Sequence, residues 1–158
     1  SGAGKNPSET THYCQINDNV HAYNPFKHRH MPEIHEKVKI LKGKDVSINF
    51  VPHLLPLTRG MLVSVFATLK DDIDVNEILN NSYKDSEFVR IRNKPVDVKS
   101  VAGTNFCDLF VAKNGKALFV SSAIDNLLRG ASSQAVVNAN ILCGYEEYEG
   151  IPKIAYVP

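Results

Sequence analysis

Apolar residues recur along this chain with two different periods, and the switches between them outline its elements. After Pro32, the residues Ile34, Val38 and Leu41 fall at helical spacing until Gly43, so a short amphipathic helix is predicted there. Val46-Ser47-Ile48-Asn49-Phe50 alternates apolar and polar as a half-buried strand does. The β-branched run over 61–69 suits a central strand, with a loop over 54–60 before it. Asp74 followed by Glu77 has the form of a capping box, and Val75, Ile78, Leu79 and Tyr83 then supply a helical face. Residues 88–92 and 96–101 are candidate strands around Pro95. The stretch 106–120 holds Asn114-Gly115 between two apolar runs, a dipeptide that favours a type I′ hairpin turn. A third helix is expected over 125–142, rich in small residues such as Ala131, Ser132, Ser133, Ala135 and Ala139. Residues 1–31 have no sustained period and many Asn, Asp, His and Pro, and read as extended loop around short strands.

Strands joined by a hairpin, with helices that do not alternate regularly with them, predict an α+β fold: a mixed, mostly antiparallel sheet covered by helices on one face. A parallel nucleotide-binding sheet would need repeated strand-helix-strand units and a GxGxxG turn, and the chain has neither. With no internal repeat and no low-complexity stretch, residues 1–158 are expected to form a single domain.

Composition narrows the partners. The 158 residues are 43% hydrophobic and 22% charged, enough apolar material for one packed core. A formal net charge of +1 removes the electrostatic case for nucleic acid or a membrane surface. No apolar run approaches a membrane span and no signal peptide is evident. Cys14, Cys107 and Cys143 are irregularly spaced and odd in number, which argues against a disulfide framework or a CxxC zinc site and for a reduced, cytoplasmic setting. The chain opens on Ser1-Gly2-Ala3-Gly4-Lys5 rather than on methionine, so the expectation is a piece of a longer protein, with a cloning remnant as the alternative.

The richest chemistry lies in His28-Arg29-His30-Met31-Pro32-Glu33, where two imidazoles and a guanidinium precede a helix start. Imidazole exchanges protons near neutrality, and Arg29 offers a fixed fork of donors for carboxylate or phosphate. Surface histidines and a metal site built from His28, His30 and Glu33 or His35 are the alternatives, the latter implying a metal-dependent hydrolase. There is no HExxH helix, and Arg29 would set a positive charge beside the cation, so no metal ligand is assigned. Gly2-Ala3-Gly4-Lys5 resembles the end of a P-loop, but Asn6 replaces the magnesium-binding hydroxyl. A glycine-rich backbone can nonetheless approach an anionic ligand closely, with Lys5 adding charge. Cys107 sits among Phe106, Leu109 and Phe110 in a predicted strand and reads as a core thiol rather than a nucleophile. Arg59, in Pro56-Leu57-Thr58-Arg59-Gly60, can clamp a carboxylate or simply be solvated, and either Asp125 or Asn126 can cap a helix, the Asn126 amide alternatively meeting a ligand.

Taken together, Ser-Gly-Ala-Gly at the start, Asn17-Asp18-Asn19, His28-Arg29-His30-Met31-Pro32-Glu33-Ile34, Pro56-Leu57-Thr58-Arg59-Gly60, Gly103-Thr104-Asn105 and Ala123-Ile124-Asp125-Asn126-Leu127 resemble, in order and spacing, the N-acetyl-gamma-glutamyl-phosphate reductases. These are relatives of the aspartate-semialdehyde and glyceraldehyde-3-phosphate dehydrogenases. The resemblance runs over nearly the whole chain but covers only the carboxy-terminal half of that enzyme. The amino-terminal Rossmann half, with its nucleophilic cysteine in an Asn-Pro-Gly-Cys-Tyr setting, has no counterpart here.

The resemblance implies a glyceraldehyde-3-phosphate dehydrogenase-like C-terminal domain that serves as the substrate-binding and dimerisation half of a reductase in arginine biosynthesis. That enzyme reduces N-acetylglutamyl phosphate to N-acetylglutamate semialdehyde with NADPH. It also implies His28 as the acid-base residue, with His30 second, and Arg29, His30, Lys5 and Arg59 as substrate contacts. Gly2, Gly4 and Asn126 are implied toward the cofactor, which the other half holds for the most part. The segment 125–143 is expected to pack on the nucleotide domain, and a homo-oligomer is expected through the sheet. A stand-alone binding or oligomerisation module and the hydrolase remain the competing classes.

Overall fold

The computed structural model describes residues 2–155, which gather into two compact units: Ala3–Leu57, and Gly2 with the chain from Thr58 onward.

Within Ala3–Leu57 the elements are α1 (Tyr13–Ile16), β1 (His21–Ala22), α2 (Met31–Lys42) and β2 (His53–Leu54), with β1 and β2 paired antiparallel. Pro32 in its first turn starts α2, and Gly43, in the left-handed conformation at φ 68°, ends it by donating its N–H to the Lys39 carbonyl at 2.8 Å. Glu33 in the first turn and Lys39 and Lys42 in the last suit the helix dipole. Met31, Ile34, His35 and Val38 form the half-buried stripe, whereas Leu41, assigned to it from spacing, is 82% exposed. The strand expected over 46–50 does not form. Its backbone meets residues 23–26 through the Phe26 N–H to Phe50 carbonyl bond (3.1 Å), and just beyond it the Tyr23 N–H reaches the Pro52 carbonyl (3.0 Å). Positive φ at Asn24 (43°) and Phe26 (59°), with Pro25 between them lacking a donor, curls the partner segment out of a continuous ladder.

The second unit holds β3 (Met61–Thr68), α3 (Val75–Tyr83), β4 (Val89–Ile91), β5 (Cys107–Asn114), β6 (Ala117–Ile124) and α4 (Ser133–Cys143). Its sheet runs β3-β6-β5-β4, antiparallel except for the parallel β5-β4 pair, so the fold is α+β with a mixed sheet. The run at Met61–Thr68 is a strand, but an edge strand rather than a central one. Its Met61, Leu62, Val65 and Phe66 are 46%, 51%, 49% and 79% exposed, so its apolar side chains stand out on both faces. The hairpin is shifted by one residue from the sequence reading. Asn114 pairs with Ala117, and Gly115 alone takes a positive φ (56°), the pattern of a type II′ turn.

Asp74 caps α3 by accepting the Glu77 N–H at 3.0 Å, as its motif predicts. Residues 96–101 form turns instead of a strand, because Asp97 accepts both the Ser100 N–H and the Ser100 hydroxyl at 2.8 Å and offers that backbone a local alternative to a ladder. The expected third helix is broken into an irregular wide turn, Leu128–Ser132, followed by α4.

The core of this unit gathers Phe88, Val137 and Ile151, with Phe106 packed against them. On α4 the buried stripe is Ser133, Val137 and Asn140, and the Asn140 amide is satisfied by the Glu147 and Glu149 carbonyls at 3.3 and 2.9 Å. The apolar Val136, Ile141 and Leu142 are exposed, which reverses the usual order of a surface helix. Among the described residues no helix is long and apolar enough to cross a membrane.

Candidate functional site

The histidines sit in the tight chain reversal that precedes α2 in the Ala3–Leu57 unit. The Lys27 N–H reaches the Asn24 carbonyl at 3.0 Å and the Met31 N–H the His28 carbonyl at 2.9 Å, so His28 lies between two successive turns. Its ring stands edge-on to Tyr23 (5.5 Å between centroids), Phe50 (5.4 Å) and His30 (4.8 Å). Burial against these rings, then the neighbouring His30 and Arg29, lowers the His28 pKa below its ordinary value. The Nδ1 atom accepts the backbone N–H of His30 at 3.3 Å, so the neutral ring carries its proton on Nε2. Arg29 and His30 are exposed on the same turn, and Lys5 and Gly4 are exposed in the same unit, Gly4 with a positive φ of 86°. Among the described residues no group of three or more His, Cys, Asp or Glu side chains is placed to hold a metal ion.

The remaining candidates cluster in the other unit. Arg59, at the loop that enters β3, donates through Nη1 to Asp125 at 3.2 Å, and the next residue's backbone, the Gly60 N–H, reaches Asn126 Oδ1 at 2.7 Å. Gly2 lies beside the same amide: a Cβ added there would stand 4.0 Å from Asn126 Nδ2. Arg59, Asn126 and Gly2 are thus brought together, whereas Lys5 and Gly4 belong to the histidine-bearing unit.

Asp125 is what sequence reasoning underrated. The sequence leaves the cap to Asp125 or Asn126, and Asp125 accepts the N–H groups of Leu127 and Leu128 at 2.8 and 2.9 Å. It also accepts the Gly103 N–H at 2.8 Å, a contact across 22 residues that no local pattern announces. Burial pushes its carboxyl pKa up, but the bonds from Gly103, Leu128, Leu127 and Arg59 outweigh this and hold it below the usual carboxylate range. Asp108 is a second buried carboxylate, 1% exposed, paired with Arg90 from the register position opposite it on β4. Cys107 is half-buried and its thiol is pushed up, chiefly by burial, which disfavours the thiolate and agrees with a core role.

Gly60 fixes the Arg59 loop. Its φ is +108°, and a Cβ there would fall 1.7 Å from Val98 Cγ1. Gly60→Ala is expected to destabilise the protein by about 2–3 kcal/mol through strain and overpacking. The urea midpoint measures this, and a shift equivalent to under about 0.5 kcal/mol would contradict it.

Residues 1–126 match the family model described as the semialdehyde dehydrogenase dimerisation domain. Among curated proteins the chain is similar to the N-acetyl-gamma-glutamyl-phosphate reductases of a Sulfurovum species (64% identical over 100% of this chain and 47% of that one) and Wolinella succinogenes (54%, over 100% and 47%). It is 46% identical to the reductase of Methanococcus maripaludis, over 96% of this chain and 46% of that one. The chain therefore spans about half the length of the curated relatives it matches. Among solved structures it is similar in fold to aspartate semialdehyde dehydrogenase II of Vibrio cholerae, complexed with ASA, at TM-score 0.67 and 18% identity, covering 82% of this chain and 42% of that one. The aspartate semialdehyde dehydrogenase of Francisella tularensis gives TM-score 0.65 at 15% identity, over 81% and 40%.

Proposed function

Because the chain belongs to the semialdehyde dehydrogenase dimerisation-domain family, we propose that it is the substrate-binding and dimerisation half of an NADP-dependent N-acetyl-gamma-glutamyl-phosphate reductase. The reaction is the reduction of N-acetylglutamyl 5-phosphate to N-acetylglutamate 5-semialdehyde, in arginine biosynthesis. The observation that carries this reading is identity of 64% along the whole chain to a relative bearing that name.

His28 is the acid-base residue. With Nδ1 turned to the His30 N–H, the neutral ring presents Nε2–H as a donor to negative charge developing on the substrate. Once Nδ1 takes up a proton and releases His30, the ring is an acid able to deliver the Nε2 proton. Arg29 supplies a guanidinium fork for an anionic group of the substrate, with His30, Lys5 and Arg59 as further contacts. When bound, the nicotinamide cofactor supplies the hydride. On this chain Asn126, which meets the Gly60 backbone and lies beside Gly2, offers an amide suited to a carboxamide, and the Cβ-free backbone of Gly2 and Gly4 allows close approach.

The exposed Leu62 and Phe66, with Phe119 tilted against Phe66 and Phe110 edge-on to Phe119 on the sheet, support association of two copies through it. The apolar outer side of α4 suits docking against the nucleotide-binding half of the longer enzyme. Three free cysteines fit a reducing compartment, the cytoplasm.

The test is the full-length protein given N-acetylglutamyl phosphate. NADPH oxidation with release of phosphate, by a preparation that sediments as an oligomer, is the expected result. No oxidation rejects the reaction, and a monomer at micromolar concentration rejects the association.

A further inference from the structure

Asp125 is fully enclosed, and its carboxylate takes four N–H groups from three separate stretches of chain. Oδ1 accepts from the backbone of Leu127 and Leu128, while Oδ2 accepts from the Gly103 backbone and from Arg59 Nη1. Three of the four donors are backbone dipoles, already suited to holding a buried negative charge. The fourth is a side chain that stays 32% exposed and touches Asp125 through one of its five N–H groups, leaving the rest of the fork for something else. Next to this contact the Gly60 N–H bonds Asn126, so the loop bearing Arg59 is tied to 125–126 at two successive residues. A long cation with about 2 kcal/mol of rotamer entropy gains a defined direction from such an anchor.

We propose that Asp125 is a positioning residue that acts through Arg59, holding its guanidinium by one edge so that the other edge meets the anionic end of the substrate. This rests on the reading of Arg59 as a substrate contact. Without the carboxylate Arg59 becomes a freely moving surface cation, and substrate affinity falls while the chemical step is unaffected.

The experiment uses the full-length reductase and measures KM for the acyl phosphate apart from kcat. Arg59→Ala is expected to raise KM about tenfold and to leave kcat within about threefold. Asp125→Asn keeps an acceptor for the two local N–H groups but turns a donor toward both Arg59 and the Gly103 N–H, and it should raise KM to the same degree. In KM the double variant should be no worse than Arg59→Ala, because both substitutions act on substrate through the same guanidinium. Guanidinium chloride at millimolar concentration should restore KM in folded Arg59→Ala by filling the vacated place on Asp125, where sodium chloride of equal ionic strength should not.

An unchanged KM in Arg59→Ala overturns the reading of Arg59 itself. A raised KM there, together with a normal KM in Asp125→Asn, additive effects in the double variant, or rescue no better than with sodium chloride, overturns the role of Asp125 alone. Should Asp125→Asn fail to fold by circular dichroism, the rescue decides on its own, since Arg59→Ala leaves the three backbone bonds of Asp125 in place.

Discussion

Alanine at His28 in the full-length reductase lowers kcat by about 10²–10⁴, the range of a single general acid-base residue. The loss is chemical rather than structural, because the ring lies in a turn secured by backbone bonds at Lys27 and Met31 and is not a core residue. Its pKa is lowered by burial first, then by His30 and Arg29, so the neutral form persists to a pH below 6.5. The acid limb of the wild-type pH-rate profile should accordingly fall below 6.5 and vanish in the alanine variant. His28→Gln, whose amide N–H reaches toward the position of Nε2, should recover part of the rate if donation from Nε2 matters. Near-normal turnover by His28→Ala would transfer the role to His30.

Phe88→Ala is expected to cost about 3–5 kcal/mol, enough to unfold much of a marginally stable population. Phe88 is 0% exposed and joins the approach to β4 with Val137 of α4 and with Ile151. The Phe106 ring lies 6.1 Å from it and the Arg129 guanidinium 5.3 Å above its face. Among the described residues few apolar side chains are buried to that degree, so a phenyl-sized void here has little else to share the loss. Urea denaturation followed by circular dichroism reads the effect as a lower midpoint at unchanged slope. A cost under about 1 kcal/mol would mean that α4 and the 151 segment are not held through this ring.

Much of the fold was legible because its signals are local. Pro32 and Gly43 bracket α2, Asp74 and Glu77 start α3, and the Asn114-Gly115 dipeptide located the hairpin to within one residue. What escaped was set by distant chain. An apolar, β-branched run at Met61–Thr68 looks the same whether one strand or two lie beside it, so its edge position was invisible. Residues 96–101 alternate like a strand, yet the Asp97 side chain captures Ser100 before any partner does. At the site, the proximity of His28, Arg29 and His30 follows from adjacency alone, but the direction of the His28 proton depends on a backbone contact. The convergence of Arg59, Gly103 and Asp125 is a purely tertiary fact.

The place of β3 in the sheet bears on how the chain is made. Among the described residues its one neighbour in that sheet is β6, which leaves the ribosome some fifty residues later. At about 5–20 residues per second, Met61–Thr68 therefore waits for several seconds with its hydrogen-bonding edges bare. A chargeless, proline-free segment rich in Met, Leu, Val and Phe in that condition is prone to self-assembly. Chaperone cover through that interval is expected to raise the soluble yield of this chain, which the soluble fraction with and without co-produced chaperones measures.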